Sequence, residues 1–202
     1  MHTLFLASSS ASRQLLLRNA QIPFTLVQQN ADEAQCYFVG DLPKFVAQVA
    51  ALKMAHVMMP EGQEGQIVYV LTADTMTLDS HGVCHAKPFD RDDAISMIKA
   101  CRAGSTVGSA FCLQRRVFRN GVWAVEREIA GYDEAMCVFD VSDNFIDFYL
   151  DRVDFLSVSG GVTIEKLGEQ FVRRVDGCYS AIIGLPMFKV RQALDELGFY
   201  TK

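Results

Sequence analysis

None of the six cysteines, at positions 36, 84, 101, 112, 137 and 178, stands in a CxxC pair. That scatter excludes a zinc-ribbon or disulfide framework and reads the thiols as small core residues in a reducing, cytoplasmic setting. His2, His56, His81 and His85 show no metal-ligand spacing and no partner acid, so they read as structural or exposed. No apolar run approaches the ~18 residues needed to span a bilayer. The opening Met1-His2-Thr3 lacks the basic start of a signal peptide. Positive charge is also short: 19 Lys and Arg face 24 Asp and Glu, a net charge of -5. This excludes a general binder of nucleic-acid polymers or anionic membranes, which needs a basic face. A small anionic ligand stays open, because it needs only a few local cations. There is no internal repeat, no low-complexity segment and no acyl-transfer order of Ser, His and Asp. Gly160-Gly161 lacks the pattern of a dinucleotide loop and reads as a turn.

What is present is apolar and ordered. Half of the 202 residues are hydrophobic, enough for one large domain or two lobes sharing a cleft. Apolar runs predict strands over 4–7, 22–27 and 67–71, the last continued in extended form over 76–78. A turn over 79–82 returns the chain at Val83. Helical spacing predicts helices beginning at Leu15-Leu16-Leu17, over 43–59, and from Asp90 to about Cys101. Strands over 106–117 and 122–138 flank Arg119-Asn120-Gly121, a hairpin signal. Ser142 caps a helix over 143–150, a glycine loop spans 157–161, Phe171-Val172 lies in a strand, and 186–197 forms the last helix. Alternation early and a long hairpin late predict an α/β sheet with an antiparallel piece.

Several residues carry chemistry. Ser8, Ser9, Ser10, Ser12 and Arg13 sit where the first strand becomes a helix. Unpaired N–H groups there, with hydroxyls and a guanidinium, suit a phosphate. The same segment also reads as a helix capped by Ser10 with a solvated Arg13. Asp74 ends a buried strand, where sites in α/β sheets lie. A carboxylate there can hold a hard cation or take a proton from water, or cap the next turn. Lys53 falls four residues after Val49 on a stripe of Phe45, Val49, Leu52 and His56, so it snorkels outward or meets an anion. Lys87, before Pro88, either reaches phosphate or is an ordinary surface lysine. Glu33 lies beside Asp32 in a polar loop over 28–41.

In order and spacing these segments resemble the Maf family, septum-formation-inhibitor-like nucleotide pyrophosphatases. The opening LASxSPRR pattern is matched by Leu6 to Arg13, and the acidic pair by Asp32-Glu33. The second-helix lysine is matched by Lys53, ADT by Ala73-Asp74-Thr75, and KP by Lys87-Pro88. The late glycine and FV strand are matched by Gly168 and Phe171-Val172, and YS…GLP by Tyr179-Ser180 and Gly184-Leu185-Pro186. The resemblance implies a single domain over 1–202, with a mixed sheet flanked by helices and a cleft between two lobes. It implies a homodimer, and hydrolysis of a nucleoside triphosphate to monophosphate and pyrophosphate with magnesium or manganese. Asp74 is then the proton acceptor, Glu33 its acidic partner at the metal, and Arg13, Lys53 and Lys87 neutralise phosphate while Ser8 and Ser10 orient it.

Positions matching Ser12, Thr75 and Glu165 choose the base in the family. The dTTP/UTP type has arginine, threonine and glutamine there; the 7-methyl-GTP type has an aromatic, glutamine and glutamate. This chain mixes the two, and ionised Glu165 accepts hydrogen bonds without donating. The segment around Ser105 and Val107, Ser159-Gly160-Gly161, and Ala181 also depart from the family pattern. The departures point to a modified or non-standard base. A second expectation stands beside the enzyme: a nucleotide-binding protein with little turnover that regulates division or stress.

Overall fold

The computed structural model describes residues 2–201. Two strands carry the centre. β1 (Thr3–Leu6) and β3 (Ile67–Asp79) lie parallel, with β2 (Phe24–Leu26) parallel on the outer side of β1. Leu4, Leu6, Val68, Val70 and Leu71 are fully buried, which is why both strands read as unbroken apolar runs. The long hairpin of β5 (Ser105–Arg119) and β6 (Val122–Phe139) adds antiparallel to β3. β7 (Val172–Gly177) closes the far edge on β6, and β4 (Cys84–His85) folds back on β3. The sheet is therefore mixed and seven-stranded, in the order β2-β1-β3-β5-β6-β7 with β4 beside β3.

Helices cover both faces. α1 (Ala11–Asn19) and α6 (Met187–Glu196) pack on Leu4, Leu6, Tyr69 and Leu71. α2 (Leu42–Ala55) covers the opposite face, where Met54 meets Phe5, Val68, Val70 and Cys112. A separate core joins α3 (Arg91–Cys101) and α4 (Asp143–Leu150) to the end of β6 through Ile98, Phe139, Tyr149 and Phe171. The short α5 (Tyr179–Ile183) precedes α6. The start of α3 is reciprocally capped. Asp90 accepts from the Asp93 N–H at 2.9 Å, and Asp93 accepts from the Phe89 N–H at 2.9 Å.

The structure shortens some elements that the sequence predicts. The strand over 22–27 is only Phe24–Leu26, because its one partner, β1, offers pairing only from Leu4 to Leu6. The helix over 43–59 ends at Ala55, since Val57 turns out to bridge Gln29. Ser142 precedes α4 without a side-chain cap bond. Phe171 ends a 3-10 stretch, Lys166–Phe171, and its ring joins Phe139 and Tyr149, so the strand starts at Val172. That stretch needs glycine at 168: an added Cβ would lie 1.6 Å from the Thr163 carbonyl oxygen. The close crossing fixes the loop that carries Glu165. Among the described residues no helix is long and apolar enough to cross a membrane.

Candidate active site

Asp74 does not end its strand, because β3 stays paired with β5 as far as Asp79, and period-two alternation decides what its central residues can touch. Tyr69, Leu71 and Ala73 face α1 and α6, whereas Val68 and Val70 face α2. Continuing the pattern, Asp74 meets Lys53 of α2, and Thr75 meets Arg13 of α1. One strand thus supplies two adjacent residues to two helices on opposite faces. Between these elements lies a cavity of about 330 Å³. Ser8, Ser10, Ser12, Arg13, Glu33, Lys53, Asp74, Thr75, Lys87 and Glu165 all line it. These ten candidate site residues converge on one place.

Lys53 is the hinge of the acidic side. The buried face of α2 is Leu42, Val46, Val49, Ala50, Lys53 and Met54. The stripe drawn through Phe45, Leu52 and His56 is rotated from this, with His56 exposed. Lys53 therefore points inward at 7% exposure instead of snorkelling. Its Nζ lies 2.7 Å from Asp74 Oδ1 and 3.0 Å from Glu33 Oε2. Glu33 stands on the single turn Glu33–Gln35, capped by Asp32, and is about half exposed. Burial raises the Asp74 carboxyl above its ordinary range, although the charges of Lys53 and Arg13 pull it back. Asp74 Oδ2 is buried and has no hydrogen-bond partner among the described residues. A buried carboxylate oxygen left this way is costly unless something polar or cationic meets it.

The other side is built on Arg13. Its Nε donates to the Gly184 carbonyl at 2.8 Å, Nη1 to Ser8 Oγ at 3.1 Å and Nη2 to Thr75 Oγ1 at 3.0 Å. Burial lowers its pKa, and Asp74 and Glu33 oppose that; a guanidinium stays charged regardless. Ser10 Oγ accepts from the Arg13 N–H at 3.4 Å, so the cap and the cavity wall are one residue. Lys87 is exposed at the rim and makes no ion pair among the described residues. The facing loop is tied down beside it. The Gly160 N–H donates to the Ala86 carbonyl at 2.9 Å, and Ser159 Oγ donates to the His85 carbonyl at 2.8 Å. Glu165 lies deeper, where burial raises its carboxyl against the opposing effects of Lys166 and the Ser12 hydroxyl.

Sequence reasoning missed Ser109 and the part played by two backbone carbonyls. Ser109 is fully buried and shares a 2.7 Å hydrogen bond with Thr75. The carbonyls of Ala181 and Gly184 complete that corner. The available signal was register, since Ser109 stands directly opposite Thr75 across β3 and β5. His85 also departs from expectation, because it has a partner acid: its Nε2 lies 2.8 Å from Asp79 Oδ2 across the β3–β4 turn.

The family described as Maf-like protein matches this chain over residues 3–197. The chain belongs to the Maf family. A Maf relative in Syntrophomonas wolfei, named dTTP/UTP pyrophosphatase, is 30% identical over 96% of each chain. One of the same name in Caldicellulosiruptor bescii is 28% identical over 98% of this chain and 96% of its own. Another, in Clostridium perfringens, is 29% identical over 94% of each. Of the residues that carry the Maf resemblance, Ser8, Ser10, Ser12, Arg13, Glu33, Lys53, Asp74, Thr75, Lys87 and Gly184 line the cavity.

Proposed function

We propose that this Maf protein hydrolyses a nucleoside triphosphate to the monophosphate and pyrophosphate. One observation carries the reading: an acid pair bridged by a buried lysine shares a cavity with Arg13 and Lys87. The relatives named dTTP/UTP pyrophosphatase support it. In the reaction a water oxygen bonds to the α-phosphorus, the bond to the β-phosphate bridge breaks, and pyrophosphate leaves. Asp74 takes the proton from that water. Arg13, Lys53 and Lys87 neutralise the phosphates, and Ser8 and Ser10 orient them.

A divalent cation, magnesium or manganese, fits the residues present. Among the described residues no group of three or more potential ligands occurs. Magnesium needs no such cage, because it binds through one or two carboxylates, with waters and phosphate oxygens completing the shell. The unpartnered Asp74 Oδ2 and the half-exposed Glu33 are carboxylates of that kind. Bound there, the cation would supply charge neutralisation and acidify the attacking water.

Base choice rests on Ser12 and Glu165. A carboxylate accepts and does not donate, so Glu165 favours a base edge rich in N–H groups, such as a purine amino edge, over a pyrimidine carbonyl. This reading points to a modified or non-standard nucleotide. The working form is a cytoplasmic homodimer of one domain per chain. The test is pyrophosphate release from a panel of standard and modified triphosphates with magnesium, manganese or cobalt, with light scattering on the same preparation. Turnover is expected, fastest on amino-bearing bases, at about twice the chain mass of 22.5 kDa. Binding seen by thermal shift without turnover on any of them would overturn the enzyme reading.

A further inference from the structure

Thr75 occupies a position that the resemblance assigns to the base, yet its hydroxyl is committed elsewhere. The direction of each bond follows from counting protons. Ser109 Oγ lies 2.6 Å from the Ala181 carbonyl oxygen, which can only accept, so the single Ser109 proton goes there. Ser109 must then accept in its 2.7 Å contact with Thr75, and Thr75 gives its single proton to Ser109, the Gly184 carbonyl at 3.3 Å being the more distant acceptor. Arg13 Nη2 in turn donates to Thr75 at 3.0 Å. The result is a one-way chain: guanidinium to Thr75, Thr75 to Ser109, Ser109 to the α5 backbone. Thr75 has no proton left for a carbonyl of a base.

The other end of the chain is rigid. Ser109 has no exposed surface, and α5 ends at Gly184, which has φ of +127° and presents its carbonyl to Arg13 Nε. With three of its five N–H groups fixed by Ser8, Thr75 and Gly184, the guanidinium keeps one on each Nη for a phosphate oxygen.

We propose that Thr75 and Ser109 are positioning residues that aim Arg13 at the phosphates, and that Thr75 offers the base no hydrogen-bond donor. The inference rests on the phosphate role given above to Arg13. The test compares the wild type with T75V, T75S and S109A, measuring kcat and KM on triphosphates of several bases and inhibition by inorganic tripolyphosphate, which has no base. T75V is expected to weaken tripolyphosphate inhibition on the order of tenfold, the loss of about one charge-assisted hydrogen bond. It should lower kcat/KM by the same factor on every base. T75S should restore both, and S109A should shift both in the same direction by less. A fold that is merely weakened lowers kcat through a smaller active fraction and leaves the inhibition constant unmoved, which would contradict the proposal. So would a T75V loss confined to one base. Should T75V not fold, S109A carries the same comparison: an unchanged inhibition constant overturns the relay. If tripolyphosphate fails to inhibit even the wild type, the phosphate role of Arg13 falls and the relay with it.

Discussion

Lys53 shows what a single residue does in this fold. Its ammonium is almost fully withdrawn from water and is held by Asp74 at 2.7 Å and Glu33 at 3.0 Å. Removing one partner of a buried ion pair leaves the other uncompensated, at about 3 kcal/mol or more. K53M keeps the length of the stem and removes the charge, so urea unfolding at pH 7 should show a loss of that order; stability equal to the wild type would mean the bridge holds nothing together. The position was legible from helical spacing, since a lysine four residues after Val49 lands on the buried face. Ser109 was not, because a serine in an apolar strand has no local signature. Only the strand register brings it opposite Thr75.

At the scale of elements, the β3–β4 turn is organised by one carboxylate. Asp79 Oδ1 accepts from the N–H groups of His81 and Val83 at 2.8 and 3.0 Å, and Oδ2 meets His85 at 2.8 Å. Burial would raise its pKa, but the hydrogen bonds from His85, Val83 and His81 overcome this and hold it below the ordinary range. A carboxylate depressed in the folded state stabilises the fold above its unfolded pKa of about 3.9 and loses that contribution as the pH falls through the lower folded value. D79N should therefore be less stable than the wild type by about 1–3 kcal/mol at pH 7. The gap should close in acid below the folded value. Urea midpoints of both proteins across that range test it, and a gap that does not change with pH would refute the ionic origin. The turn itself was visible as Asp79-Ser80-His81-Gly82, whereas the pairing of Asp79 with His85 depends on how far β4 folds back. Lengths were harder to read than kinds. β2 is as short as its one partner allows, and α2 stops where Val57 is drawn to Gln29.

For the whole molecule, the sheet explains how residues far apart in the chain meet. β1 and β3 lie side by side and parallel, which sets the α1 N-terminus beside the centre of β3. α2 crosses the opposite face and delivers Lys53 to Asp74. The mixed sheet and the cleft were legible through the order of motifs more than through periodicity, which cannot state strand order. Where a second copy would dock was not legible at all, because scattered exposed apolar residues such as Tyr37, Val39 and Phe89 follow no sequence period. The account as a whole stands on Asp74 accepting the proton of the attacking water. Single-turnover pyrophosphate release by D74N, with saturating nucleotide and magnesium, is the most direct measurement. The account predicts a rate at least ~100-fold below the wild type with the nucleotide still bound; release at the native rate would contradict it.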